Sequence, residues 1–126
     1  MIVKQAIAIV IAGAVVLAAL AGCTRHAQKV VIIDRKARSY IKLIKELEPK
    51  RLPGGGELEI GVVLYNKKNK DLRCDVKVQF VDEDGAETDA TSWRPYIFSG
   101  RTERTIRENS MDPTAADYRL YIRLQR

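Results

Sequence analysis

Few side chains in this 126-residue sequence have the types and spacing that catalysis or metal binding needs. The chain contains one histidine, His26, and two cysteines, Cys23 and Cys74. So few soft ligands nearly exclude a multi-ligand His/Cys metal centre. His26 has no acidic neighbour and no nucleophile in the order of a catalytic triad. We therefore expect a protein that is not an enzyme, with no catalytic residues, no metal and no cofactor.

Two further motifs have a simple structural interpretation. The run Gly54-Gly55-Gly56 lacks the lysine and the strand–helix context of a phosphate-binding loop, so it indicates a flexible turn. Placing Asp82 and Asp84 within a calcium loop puts Phe80 and Thr91 at its first and last positions, where carboxylates are required. The acidic run therefore favours a solvated hairpin.

The amino-terminal region has the pattern of a secretory signal. Residues 6–20 form an uncharged apolar run, preceded by Lys4. The run ends in Leu20-Ala21-Gly22-Cys23, which resembles the lipobox of bacterial lipoproteins. Such a sequence implies removal of a signal peptide, residues 1–22, and attachment of lipid to the thiol of Cys23, the nucleophile in that reaction. The alternative is an uncleaved helix over residues 6–23, which is just long enough to span a bilayer.

The positive charge is concentrated next to the expected lipid. The chain has a net charge of +6, and residues 23–51 carry nine Lys or Arg and three Asp or Glu, while residues 52–126 carry twelve and thirteen. We treat residues 23–39 as a basic tether, with a short strand near 30–33. We expect this tether to lie along the membrane, because lysines and arginines close to a membrane are attracted by anionic lipid. A solvated leader is the alternative.

Residues 40–126 have the pattern of an antiparallel β-sandwich. Apolar and polar residues alternate over 58–65, 72–80 and 118–125, which is typical of strands that bury one face. Weaker strands are expected at about 41–50 and 101–107, although the spacing over 40–48 also fits a helix. Turn-forming residues separate these segments. The same alternation places Cys74 inside, as a small buried apolar side chain.

The last strand carries the candidate binding residues. Arg119 and Arg123 fall on its outer face, with Tyr121 between them. Arginine beside tyrosine is suited to binding carboxylates of a protein or an anionic glycan. Trp93, which lies close to Pro95, is interpreted as a core residue or a strand start, with a platform for a ligand as the alternative.

Several short motifs occur together in an order that is similar to the YcfL family of predicted periplasmic lipoproteins, a family without an assigned function. These motifs are Leu64-Tyr65-Asn66, a strand ending in Phe80, Asp82-Glu83-Asp84-Gly85-Ala86-Glu87, Trp93-Arg94-Pro95 and Ala116-Asp117-Tyr118-Arg119-Leu120-Tyr121. The resemblance covers about residues 40–126. It implies an immunoglobulin-like β-sandwich in the periplasm, behind a lipobox.

Together these features predict a lipid-anchored protein of the bacterial envelope. Thr24 follows the cysteine, where aspartate would retain an enteric lipoprotein in the inner membrane, so the outer membrane facing the periplasm is expected. The expected partners are the membrane, through lipid on Cys23, and an unidentified envelope protein. The alternative is an anionic glycan, peptidoglycan or lipopolysaccharide, bound by Arg119, Tyr121 and Arg123. Nucleic acid is disfavoured by the export signal.

Overall fold

The computed structural model describes residues 29–125. The expected signal peptide, Cys23, Thr24 and His26 lie outside the described residues. Within 29–125 the chain forms one short helix and nine strands. In chain order these are β1 (Val30–Ile32), α1 (Arg35–Tyr40), β2 (Ile41–Glu46), β3 (Lys50–Arg51), β4 (Leu58–Asn66), β5 (Leu72–Val81), β6 (Glu87–Ala90), β7 (Arg94–Phe98), β8 (Glu103–Asn109) and β9 (Asp117–Leu124).

The strands form two sheets. In the five-stranded sheet, β9 lies between β1 and β5, and β6 and β7 share the other edge of β5. In the four-stranded sheet, β2 and β3 share one edge of β4 while β8 pairs with the other. All pairs are antiparallel except β1 with β9, which is parallel.

The core consists of the inward side chains of the three long strands, packed between the two sheets. Each of these side chains is at most 4% exposed, which follows the period-two pattern of the sequence. They are Leu58, Ile60, Val62 and Leu64 of β4, Cys74, Val76, Val78 and Phe80 of β5, and Tyr118, Leu120 and Ile122 of β9. Burial of each large apolar side chain stabilises the fold by about 1.5–3 kcal/mol. The predicted β-sandwich is confirmed.

The weaker segments also form strands. The segment 41–50 contains β2, and α1 comes immediately before it. The segment 101–107 overlaps β8, which extends to Asn109.

Residues 29–39, which the sequence assigns to the tether, are packed against the sandwich. β1 pairs with β9 in the register Val30↔Leu120. Ala37 of α1 is fully buried, and the backbone N–H of Leu124 donates to Asp34 Oδ2 at 2.6 Å. The packed domain therefore includes this segment. Among residues 29–125, no helix is long and apolar enough to cross a membrane.

Candidate functional site

The outer face of the five-stranded sheet displays the three residues that the sequence singled out. β5 and β9 are the two strands at its centre, and they pair from Cys74↔Leu124 to Val81↔Asp117. Because side chains alternate, the outward residues meet in cross-strand pairs. These pairs are Asp75↔Arg123, Lys77↔Tyr121 and Gln79↔Arg119.

Arg123 is held in place by an aromatic ring and a carboxylate. Its guanidinium carbon lies 3.9 Å from the centroid of the Trp93 ring, within the range of a cation–π interaction. Its Nε lies 3.7 Å from Asp75 Oδ2, and the two side chains are 25% and 15% exposed. At this distance the two groups form an ion pair without a hydrogen bond, and the buried Nε of Arg123 has no hydrogen-bond partner among the described residues.

Tyr121 and Arg119 are less constrained. The Tyr121 hydroxyl donates to Gln79 Oε1 at 3.3 Å, and the ring is half-buried. Arg119 is exposed and makes no ion pair with another residue in the range 29–125. We call Trp93, Arg119, Tyr121 and Arg123 the outer-face patch.

The structure brings the three expected residues together and adds two. The contribution of Trp93 could not be read from the sequence, because it lies thirty positions from Arg123. It comes just before β7, two residues before Pro95, and Pro95 is the residue that pairs with Asp75 on the side of β5 opposite Arg123. The position of Asp75 opposite Arg123 likewise depends on the register of two strands that are far apart in sequence.

Cys74 lies beneath this sheet and not on its surface. Its side chain is fully buried. Burial, with smaller contributions from Asp34 and Asp75, raises the pKa of the thiol to about 11. A thiol with so high a pKa is almost entirely protonated near neutral pH and reacts slowly. The expectation of a buried apolar role for Cys74 agrees with this position.

The acidic hairpin between β5 and β6 uses a carboxylate to close its own turn. Asp82 Oδ1 accepts the backbone N–H groups of Asp84 and Ala86, both at 2.9 Å. Gly85 has a φ of 85°, which glycine adopts without strain. Within residues 29–125, no group of three or more His, Cys, Asp or Glu side chains is arranged to hold a metal ion.

The fold and the outer-face patch define a small β-sandwich domain with a polar and aromatic surface on one sheet. A family model described as "Protein of unknown function (DUF1425)" matches residues 28–124, and the chain belongs to this family. The matched range includes the motifs that resemble the YcfL family, and membership of that narrower group remains a prediction.

Two solved structures share the fold. The crystal structure of cj0090 from Campylobacter jejuni has a TM-score of 0.61 and 20% sequence identity, with 79% of this chain and 100% of that chain covered. A DUF1425 family member from Shewanella has a TM-score of 0.60 and 22% identity, with 68% of this chain and 78% of that chain covered. No curated protein matches the chain.

Proposed function

We propose that this protein is a non-enzymatic lipoprotein of the bacterial envelope, anchored at Cys23, whose sandwich binds another periplasmic protein. The anchor is supported by the sequence Leu20-Ala21-Gly22-Cys23 directly after an apolar run. Two or more acyl chains hold a protein stably on a membrane. The expected location is the outer membrane, facing the periplasm.

The observation that supports a binding role is the Trp93–Arg123 stack on the outer face. Tryptophan, tyrosine and arginine are the residue types that contribute most to protein interfaces. Here Arg123 is held by Trp93 and Asp75, so little side-chain entropy remains to be lost on binding. Exposed Arg119 lies four residues before Arg123 on the same face of the strand and offers a charge without an ion-pair partner in the range 29–125 to a carboxylate.

The anchor is tested by Cys23→Ala in the full-length precursor. We expect the native protein to be labelled by a fatty-acid analogue and to sediment with membranes. The variant should lose the label and keep the uncleaved signal peptide, which increases its apparent mass. Unchanged mass and labelling in the variant would exclude lipidation at Cys23.

The binding role is tested by a photocrosslinking amino acid in place of Arg119, in cells that make the lipidated protein. The matched control places it at Thr105, which is exposed on β8 of the other sheet. We expect a discrete protein adduct from position 119 and none from position 105. Equal, diffuse crosslinking from both positions would argue against a partner on the outer-face patch.

A second candidate function is binding of an anionic glycan at the same face. The observation that favours it is the charge of this face, because its two acids on β5 and β9, Asp75 and Asp117, are outnumbered by four outward basic side chains. These are Arg73, Lys77, Arg119 and Arg123. A salt-sensitive pull-down on peptidoglycan or lipopolysaccharide, lost in Arg119→Ala/Arg123→Ala and kept in Arg101→Ala/Arg107→Ala, would establish it. Capture of one protein, insensitive to the first pair, would favour a protein partner elsewhere on the domain.

A further inference from the structure

The two long sides of the sandwich differ in how they are closed. On the β7/β8 side, Arg94 Nη1 lies 2.8 Å from Glu108 Oε2, and the Tyr96 hydroxyl donates to Glu108 Oε1 at 3.0 Å. The guanidinium of Arg104 stacks on Tyr96, 4.9 Å from the ring centroid. These contacts join the two sheets. The β1/β2 side instead has an open groove of about 300 Å³ between the edge strands.

We define the β1/β2 side as residues 30–46, comprising β1, α1 and β2. Its groove is lined by Val30, Val31, Ile32, Arg38, Leu43 and Glu46. In β2 only Ile41 is buried, although the strand contains other large apolar residues. Leu43 is 39% exposed and Ile44 is 43% exposed, while Ile33 at the end of β1 is 47% exposed. Large apolar side chains are therefore concentrated on a side that no other described element covers.

The same side is strongly basic. Five exposed cationic side chains lie on α1 and β2, against two acids in residues 30–46, Asp34 and Glu46, of which Asp34 accepts the backbone N–H of Leu124. The cationic residues are Arg35, Lys36, Arg38, Lys42 and Lys45. None of the five forms an ion pair with another residue of the described range. Exposed apolar side chains ringed by lysine and arginine are typical of surfaces that lie on anionic lipid.

The edge of β2 is unfavourable for adding a strand from another protein. Its pairing with β4 shifts register between Leu43 and Lys45, which marks a bulge at Ile44. Bulges and outward lysines are the features by which sandwich edges avoid pairing with other strands. A continuous strand partner would have to follow this kink and compete with Lys42 and Lys45 for space.

The position of the first described residue restricts how the domain can face a membrane. Lys29 lies beside Asp117, with its Nζ 2.8 Å from Asp117 Oδ1, at the end of the sandwich that also carries the exposed acids of the 82–84 hairpin. The six residues 23–28 span at most about 20 Å when fully extended. Lipid on Cys23 would therefore hold Lys29 close to the bilayer. The acidic end would be repelled by anionic headgroups, whereas the basic β1/β2 side would be attracted.

We propose that the β1/β2 side lies on the surface of an anionic phospholipid bilayer, with Leu43 and Ile44 among the headgroups and Lys42 and Lys45 beside the phosphates. This inference rests on the proposed lipid anchor at Cys23. It places the β1 edge of the five-stranded sheet at the bilayer, where Val31 of the groove is in register with Tyr121 of the outer-face patch.

The test uses the mature lipidated protein in vesicles of phosphatidylethanolamine and phosphatidylglycerol. A nitroxide is attached to an introduced cysteine, Ile44→Cys, or to the matched control Ile97→Cys on β7. The two isoleucines are similarly exposed, 43% and 46%, and Cys74 is fully buried from the reagent. We expect collisions of the label at 44 with lipid-soluble oxygen to exceed those with a water-soluble nickel chelate several-fold. The label at 97 should show the reverse.

Charge variants provide a second measurement that does not depend on the label's packing. Lys42→Gln/Lys45→Gln should lower the ratio of docked to undocked domain on the order of tenfold, because each lysine near an anionic surface favours docking. The control Arg101→Gln/Arg107→Gln removes two charges near the other edge of β4 and should change nothing. Vesicles of phosphatidylcholine alone should abolish the difference between positions 44 and 97.

The outcomes separate this inference from the proposed anchor. If the protein does not float with vesicles at all, the anchor at Cys23 is wrong. If it floats and both labels remain in water, the anchor stands and the docked orientation is overturned. Protection of position 44 in cells but not in vesicles would make the β1/β2 side a protein interface and would also overturn the inference.

Discussion

At the scale of single residues, Asn66 shows how one buried amide organises an end of the sandwich. It is the last residue of β4 and is fully buried. Its Nδ2 donates to the carbonyls of Lys70 and Phe98 at 2.7 and 2.9 Å. Its Oδ1 accepts the backbone N–H of Lys68 at 3.0 Å. One side chain thus satisfies three backbone groups of the β4–β5 loop and of β7.

Replacing Asn66 with leucine should therefore lower the free energy of unfolding by about 3 kcal/mol, because it leaves these backbone groups without their partner. The measurement is urea unfolding followed by the fluorescence of Trp93. Asn69→Ala is the control, because Asn69 is exposed in the same loop. Equal effects of the two substitutions would contradict the role given to Asn66.

Replacing tyrosine with phenylalanine should have different effects on stability at positions 118 and 96. The Tyr118 hydroxyl is buried and has no hydrogen-bond partner among the described residues. The Tyr96 hydroxyl donates to Glu108. Tyr118→Phe should leave the free energy of unfolding unchanged or raise it by about 1 kcal/mol, while Tyr96→Phe should lower it by about 1 kcal/mol. Thermal unfolding of both variants at neutral pH would distinguish them, and a clear loss of stability in Tyr118→Phe would contradict the first expectation.

At the scale of elements, the sequence predicts the long strands well and the short ones poorly. β4, β5 and β9 each contain enough alternating residues to reveal a buried face, and their interior side chains are the expected ones. β3 has two residues and β6 has four, so neither contains a recognisable period. These short strands form because longer neighbours supply their hydrogen-bond partners.

The candidate site, too, could be predicted only in part from the sequence. That Arg119, Tyr121 and Arg123 share a face follows from the period of one strand. That Trp93 and Asp75 hold Arg123 depends on the registers of β7, β5 and β9, which no local pattern specifies.

Arg51 shows how a two-residue strand can hold two loops. Its Nη1 donates to the carbonyls of Gly56 and Pro113, both at 2.8 Å, and its Nη2 donates to that of Ala115 at 2.7 Å. The fork of the guanidinium matches this arrangement, whereas the single ammonium of lysine does not.

Arg51→Lys should therefore lower the free energy of unfolding by about 1–2 kcal/mol, since hydrogen bonds from a charged donor to backbone carbonyls are lost. Hydrogen exchange should show faster opening of residues 110–116 in this variant. The neighbouring substitution Lys50→Gln is the control, because the Lys50 side chain is 67% exposed. Its Nζ makes one ion pair in the described range, 3.5 Å from Glu59 Oε1. Unchanged exchange in Arg51→Lys would show that the loops are held by other contacts.

At the scale of the whole molecule, different surfaces of the sandwich carry opposite charge. The basic residues between positions 35 and 45 lie on the β1/β2 side, whereas the end beside Lys29 carries the acidic 82–84 hairpin. In the interior, burial keeps two weakly acidic groups, the thiol of Cys74 and the hydroxyl of Tyr118, protonated to higher pH. Burial raises the pKa of Cys74 from 9.0 to about 11, and burial together with Glu46 and Asp117 raises that of Tyr118 from 10.0 to about 12.

These raised pKa values predict that the fold weakens in alkaline solution. Both groups bind their protons more tightly in the folded state, so their contribution is fully present below pH 9 and is lost as the pH rises through the folded values of about 11 and about 12. Each group adds a slope of up to about 1.4 kcal/mol per pH unit between its unfolded and folded pKa. The free energy of unfolding, measured in urea from pH 8 to pH 11, should therefore fall progressively above pH 9. Cys74→Ala/Tyr118→Phe should start from a different stability at pH 8 but lose less of it by pH 11, because it lacks the two groups whose pKa values folding raises. An identical slope in the two proteins would show that neither buried group contributes to the alkaline weakening.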